Sequence, residues 1–207
     1  MPADAVLDVF NPIVPDTVWA RRLVPLGIKT LQLRYKGTDP REIRREIAES
    51  LELCIAHGCQ LIVNDHWQAA IDVGADFIHL GQEDLAEADV ATIKAAGAKL
   101  GISTHDEAEL AIALAAEPDY VALGPIWETK LKVMKWEPQG LDKVRTWKQK
   151  IGSLPLCAIG GITPERAPDV LAAGADSVAV ITDFFTHSDP ESRVSQWLKW
   201  AEARRRG

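Results

Sequence analysis

No stretch of this sequence stays apolar for the ~18 residues that a membrane helix needs. Residues 1–5 lack both the basic start and the apolar core of a secretory signal. The expectation is a cytoplasmic protein with no membrane partner. Cysteine is scarce and odd in number, only Cys54, Cys59 and Cys157. There is no CxxC and no histidine at ligand spacing, so all three are read as reduced and mostly buried. Positive charge is in deficit, with 23 Lys+Arg against 30 Asp+Glu for a net charge of −7. That argues against nucleic acid as the main partner, because phosphate binding needs a basic face. The one basic run, Arg204-Arg205-Arg206, reads as a frayed, solvated helix end. The glycine-rich dinucleotide fingerprint and the Walker loop are both missing, which argues against a doubly wound cofactor domain. No linker or low-complexity tract interrupts the 207 residues, of which 47% are hydrophobic and 26% charged. One domain over 1–207 is expected. A homo-oligomer is left open.

What is present is a rhythm. Short apolar runs recur at 28–33, 60–64, 76–80, 99–103, 120–124, 155–160 and 176–181, with a weaker one at 7–14 broken by Pro12 and Pro15. They are apolar throughout rather than alternating, as strands covered on both faces are. Amphipathic stretches lie between them. One over 39–57 opens at Asp39-Pro40 and stops at Gly58; another over 83–96 stops at Gly97; a third opens at Thr163-Pro164-Glu165 and stops at Gly174. Gly-Ala-Asp occurs at both 74–76 and 174–176, a helix-ending glycine running straight into a strand. Eight strand–helix units with short connections predict a parallel sheet closed into a (β/α)8 TIM barrel. The tryptophans follow no stripe; Trp19, Trp67, Trp197 and Trp200 are expected to pack helices onto the barrel.

Polar residues gather where these strands end. The second strand gives Gln32-Leu33-Arg34-Tyr35-Lys36, the third Asn64-Asp65-His66 and the fourth His79 followed by Gly81-Gln82-Glu83-Asp84. The fifth gives Ser103-Thr104-His105, the sixth Gly124-Pro125 and a long loop to Gly140, the seventh Gly160-Gly161 and the eighth Thr182-Asp183. In a barrel these ends converge on the rim where active sites are built. Gln32, Arg34 and Lys36 alternate and so point one way. A planar fork beside a point charge suits a phosphate or diphosphate. Asp65 and Asp84 on neighbouring strands suggest Mg²⁺, which takes one or two protein carboxylates plus phosphate oxygens and water. The turn at Gly160-Gly161 into a helix start offers amides to a second phosphate, with the Thr182 hydroxyl nearby. The loop over 124–140, with Trp127, Thr129, Lys130, Lys132, Lys135 and Trp136, has the length of a lid or binding loop. His79 reads as a hydrogen-bonded core residue and His66 as a helix start. His105 reads as a helix-start residue, with acid–base work as the alternative.

Together these segments resemble the thiamine-phosphate synthase (thiamine-phosphate pyrophosphorylase) family. The likeness runs from about Gly27 to Asp183 and includes Gly101-Ile102-Ser103 and Gly124-Pro125-Ile126 through Thr129 and Lys132. It implies a TIM barrel that joins 4-amino-5-hydroxymethyl-2-methylpyrimidine diphosphate to 4-methyl-5-(2-hydroxyethyl)thiazole phosphate, or its carboxylated form, with release of pyrophosphate. The implied cofactor is Mg²⁺, held by Asp65 and Asp84. The implied pyrimidine-diphosphate site is Gln32, Leu33, Arg34, Tyr35, Lys36, Asn64, Ser103 and Lys132. The thiazole phosphate falls to Thr129, Lys130, the backbone of Leu131, Gly161, Ile181 and Thr182. Arg34, Lys36 and Lys132 are the implied catalytic cations, stabilising charge on the leaving pyrophosphate. Many relatives read Thr-x-Thr-Lys where this chain has Thr129-Lys130-Leu131-Lys132, and Glu128 stands where proline is frequent. Leu131 thus lacks a hydroxyl worth roughly 1 kcal/mol.

Two other functions fit the same barrel. A TenI-like thiazole tautomerase would use His105 as a proton carrier and needs no diphosphate or magnesium site. A non-catalytic sensor would bind the phosphates without turnover. Arg34, Lys36, Asp65 and Asp84 together favour the synthase over both. An aldolase-like barrel would need a strand-end lysine, and Lys36 has phosphate-type neighbours instead.

Overall fold

The computed structural model describes residues 6–128 and 136–205. Eight parallel strands form a closed barrel in sequence order: β1 (Phe10–Val14), β2 (Thr30–Leu33), β3 (Gln60–Asn64), β4 (Phe77–Leu80), β5 (Lys99–Thr104), β6 (Tyr120–Leu123), β7 (Leu156–Ile159) and β8 (Ser177–Val180). β1 pairs with both β2 and β8, which closes the ring. The expected (β/α)8 TIM barrel is the observed fold. β1 forms despite Pro12, which stands in register with Val180.

Helices cover the outside: α1 (Thr17–Leu23) with a 3-10 turn (Val24–Leu26), α2 (Pro40–His57), α3 (Trp67–Asp72), α4 (Gln82–Glu87), α5 (Val90–Ala95), α6 (Glu107–Ala115), α7 (Gly140–Ile151), α8 (Ala167–Ala172), α9 (Thr182–Phe185) and α10 (Pro190–Arg205). The start of α2 is as the sequence requires. Asp39 accepts from the Arg41 and Glu42 amides, and Pro40 opens the helix. Gly58 ends it in the left-handed conformation, φ 61°.

Two helix expectations change. The stretch 83–96 is two helices, because Ala88 is extended and the Asp89 side chain accepts from the Thr92 amide and hydroxyl, starting α5 afresh. The helix expected from Thr163 begins only at Ala167, leaving Glu165 in a turn. The C-terminal arginines also differ from expectation. Arg205 makes two hydrogen bonds, at 2.8 and 2.5 Å, to Asp8, which is buried beside β1. A buried carboxylate needs a cation, so this end of α10 is anchored rather than frayed. Arg206 lies outside the described residues.

The core has two layers, as continuous apolar strands demand. Leu31, Leu33, Val63, Leu80, Leu100 and Val178 face the helices; Ile13, Ile62, Phe77, Tyr120, Ala122, Cys157 and Ala179 fill the barrel. Trp197 stacks on Phe10 at 5.0 Å between ring centres, and Trp19 packs on Phe184 and Phe185. Each fully buried side chain of this size contributes ~1.5–3 kcal/mol. All three cysteines are buried free thiols.

Candidate active site

The C-terminal rim and the upper barrel interior carry the polar residues. Gln32 is in register with Ile13 and Ile62, both interior, so Gln32 faces the barrel axis. Arg34 lies two residues further on the same side, at the mouth. Its amide continues the ladder to the Val14 carbonyl at 2.8 Å, while its guanidinium has no hydrogen-bond or ion-pair partner among the described residues. Lys36 reaches Asp65 at 2.5 Å and is half exposed. Leu33 and Tyr35 take the opposite face. Leu33 is buried under the helices, and the Tyr35 hydroxyl donates to Glu42 at 3.2 Å. These two reach the site through backbone only.

Asp65 follows β3 in the left-handed region, φ 66°, with its amide donating to the His79 carbonyl. That conformation is costly for a non-glycine residue and is tolerated by Asp better than most. It turns the carboxylate toward Lys36 and toward Asp84, in the first turn of α4. The two carboxyl groups hydrogen-bond each other. Burial raises Asp65, but the Lys36 ammonium outweighs it and holds Asp65 below its ordinary value. Asp84 goes the other way, raised by burial and by the Asp65 charge beside it. Two carboxyls this close repel when both ionise, and a divalent cation satisfies both at once. Among the described residues no group of three or more His, Cys, Asp or Glu could hold a metal ion. A two-carboxylate site completed by water and phosphate suits Mg²⁺ and not a closed zinc site.

Below the rim is a buried polar chain that the sequence reading caught only in part. His79 Nδ1 lies 2.6 Å from the Tyr120 hydroxyl and Nε2 lies 2.8 Å from Ser103 Oγ. Gln32 lies beside the same Tyr120 hydroxyl and opposes the burial that raises its pKa. Burial lowers the His79 pKa to about 4; Asp65 opposes this and Arg34 adds to it. His79 is therefore neutral at neutral pH, one ring nitrogen donating and the other accepting. The expected core histidine is thus also part of the site wall. Tyr120 was missed; its signal was Gly101, where a Cβ would come within 2.0 Å of the Tyr120 ring. Asn64 is buried and in register with His79. Gln82 donates to the Ser103 carbonyl at 2.7 Å, fixing the end of β5.

On the far side, Gly160 and Gly161 have φ of 104° and 64°. A Cβ on Gly161 would come within 2.7 Å of the Glu128 carbonyl oxygen, so only glycine fits. The Trp127 amide bonds the Gly160 carbonyl, and Arg166 donates to the Gly161 carbonyl at 2.8 Å. Ile181 precedes α9, and Thr182 is its first residue. Arg193 joins this side together. It donates to Asp183 at 2.8 and 2.9 Å and to Glu165 at 3.2 Å through each of two nitrogens, and Trp197 also donates to Asp183. Those arginine bonds hold Glu165 down at about 2. Thr129, Lys130, Leu131 and Lys132 lie outside the described residues.

His105 is oriented by Glu109. Its Nδ1 lies 2.7 Å from Glu109 Oε2, which also accepts its amide, and its ring stacks on Trp136 at 5.4 Å.

A family model described as thiamine monophosphate synthase matches residues 14–184. A thiamine-phosphate synthase of Rhizobium etli is 58% identical over 192 residues, covering 93% of this chain and 94% of that protein. One from Yersinia pestis is 44% identical over 193 residues, covering 93% and 90%. The solved structure of a thiamine phosphate pyrophosphorylase from Pyrococcus furiosus superposes with a TM-score of 0.81 at 25% identity, covering 95% of this chain and 96% of that one. With a matching family model over most of its length and these relatives, the chain belongs to the thiamine monophosphate synthase family.

Proposed function

We propose that this protein is a thiamine-phosphate synthase, a transferase that joins the pyrimidine diphosphate to the thiazole phosphate in the cytoplasm. The observation that carries the reading is the grouping of Arg34, without a side-chain partner among the described residues, with Lys36 and the Asp65–Asp84 pair at one end of the barrel. That is a diphosphate and magnesium site, which proton-transfer chemistry on a thiazole would not need.

In the reaction the bond between the pyrimidine methylene carbon and the diphosphate oxygen breaks. Its electron pair leaves with pyrophosphate, and the thiazole nitrogen forms the new bond to the carbon. No protein nucleophile is required. Arg34 and Lys36, with Lys132 from the sixth loop, bind the diphosphate and stabilise the charge that grows on it. Lys36 exchanges its contact with Asp65 for a phosphate oxygen as substrate arrives. Asp65 and Asp84 would hold Mg²⁺, which supplies further charge neutralisation to the leaving group when bound. Asn64 and Ser103 contact the pyrimidine half, alongside Gln32 and the backbone of Leu33 and Tyr35. Gly161, Ile181 and Thr182, together with Thr129, Lys130 and Leu131, take the thiazole phosphate. Holding both halves in contact replaces an encounter in solution.

The test is a coupling assay with both phosphorylated halves, with and without Mg²⁺, in which thiamine phosphate is read as fluorescent thiochrome. Magnesium-dependent product is expected, and His105→Ala should retain it. Folded protein that binds both halves and makes no product would reject the synthase assignment.

A further inference from the structure

His66 has no part in the coupling mechanism. Its position in the sequence predicts a helix start, and it does stand at the N-terminal cap of α3, yet its side chain makes no capping bond. Its ring turns instead to the loop after β2, where Nε2 lies 2.9 Å from the Tyr35 carbonyl oxygen. A carbonyl only accepts, so Nε2 carries the proton and donates.

The backbone around His66 folds back twice. The His66 amide bonds the Asn64 carbonyl at 2.9 Å, and the Trp67 amide bonds the Asp65 carbonyl at 2.7 Å. Each bond closes a three-residue γ-turn. Asp65, at the centre of the first, has φ 66°, which makes that turn the rare, strained form. His66, at the centre of the second, has φ −75° and ψ 57°, the relaxed inverse form. A strained turn persists only where its surroundings over-determine it. Here two tethers do so. The Asp65 amide bonds the His79 carbonyl on the β4 side at 2.9 Å, and the His66 ring reaches Tyr35 on the β2 side. The carbonyl it reaches belongs to the peptide that leads into Lys36. One imidazole thus spans the backbone that carries the Asp65 carboxylate and the backbone that carries the Lys36 ammonium, and those two groups meet at 2.5 Å.

We propose that His66 is a positioning residue. By donating to the peptide between Tyr35 and Lys36 it holds the strained turn that aims Asp65, and so sets the spacing between the metal-binding carboxylate and the diphosphate-binding lysine. It acts through Asp65 and Lys36. This rests on the synthase reading above and adds what keeps the two sides of the diphosphate site in register.

The test is calorimetric titration of the pyrimidine diphosphate into wild type, His66→Leu and His66→Gln at stepped Mg²⁺ concentrations. The thiazole phosphate is a second probe, and melting temperatures and coupling activity are recorded in parallel. Glutamine keeps an N–H donor near the Nε2 position and leucine removes it; His66→Ala serves should the leucine variant not fold. His66→Leu is expected to weaken the diphosphate roughly three- to tenfold, the worth of one hydrogen bond, and to raise the Mg²⁺ needed for half-maximal binding. His66→Gln should restore both, and the thiazole phosphate should hold, each within about twofold. In an Asp65→Asn background, His66→Leu should no longer shift the Mg²⁺ requirement, because it acts through that carboxylate. A leucine variant that melts lower but keeps wild-type diphosphate and Mg²⁺ curves would overturn the proposal and make His66 merely structural. So would a glutamine variant no better than leucine, or a full shift in the Asp65→Asn background. Wild type that binds the pyrimidine diphosphate without making thiamine phosphate would sink the synthase reading, leaving His66 to be judged on the binding data. Wild type that binds no pyrimidine diphosphate would overturn both.

Discussion

Removing Arg193 should expose how the phosphate side of the barrel is held. The Arg193 and Asp183 side chains are 13% and 11% exposed, and Glu165 is 68% exposed. In Arg193→Ala, Asp183 keeps only the Trp197 indole as a partner. Stranding a mostly buried carboxylate costs about 3 kcal/mol. The exposed Glu165 arm adds less than about 1 kcal/mol. For a chain of this size each kcal/mol is worth ~2–4 °C, so the melting temperature should fall by roughly 10 °C. Adding Asp183→Asn removes the stranded charge, so the double variant should melt at or above Arg193→Ala. The pH dependence has a definite sign. Glu165 sits at about 2 in the fold, below the ordinary glutamate value of 4.5, so its contribution is present above 4.5 and lost as pH falls toward 2. Arg193→Ala should flatten that acid limb, slightly, given the exposure of Glu165. Because Arg193 joins the turn after β7 to α9, the thiazole-phosphate KM should rise while the pyrimidine-diphosphate KM holds. Calorimetric melts and steady-state kinetics on the two variants measure all of this. A melting loss under about 3 °C, or strictly additive single and double variants, would refute the reasoning.

Asp65→Asn and Asp84→Asn should each lower kcat/KM and raise the Mg²⁺ concentration needed for half-maximal rate; unchanged magnesium curves in both would remove them as ligands. Since Asp84 is raised, magnesium affinity should also weaken as pH drops through its upper carboxylate range, checked by Mg²⁺ titrations at stepped pH. Arg34→Ala removes charge-assisted bonds worth ~1.5–3 kcal/mol, so the pyrimidine diphosphate should bind roughly 10- to 100-fold more weakly with little change for the thiazole phosphate; equal losses on the two ligands would contradict the assignment. His79 sits at about 4 in the fold against the ordinary histidine value of 6.5. The unfolded chain therefore binds more protons between those values, and stability should fall by up to ~3 kcal/mol as pH drops from 6.5 to 4. Urea unfolding of wild type and His79→Gln across that window measures it, and identical pH slopes would show that His79 does not titrate this way.

The barrel was legible because its signals are local. Continuous apolar runs, helix caps such as Asp39-Pro40 and helix-ending glycines such as Gly58 act within a few residues of themselves. The rim residues were legible for a related reason, since strand ends in a closed barrel must converge wherever the chain is parallel. Local signals also misled at 83–96, where apolar spacing continued through a break that the Asp89 side chain creates. Which polar residues pair with which was not written locally. Among the described residues the Arg34 guanidinium has no partner while Arg193 is fully engaged, a difference the sequence does not carry. Arg205 meets Asp8 across nearly the whole chain. Tyr120 reaches His79 only because Gly101, on the neighbouring strand, leaves room for its ring. The sequence by itself determined the barrel, the rim and the chemical kind of site, because those follow from periodicity and residue type. Tertiary structure alone decided which groups are spent on each other and which are left for substrate, because burial and hydrogen bonding are properties of neighbours that the chain brings together only by folding.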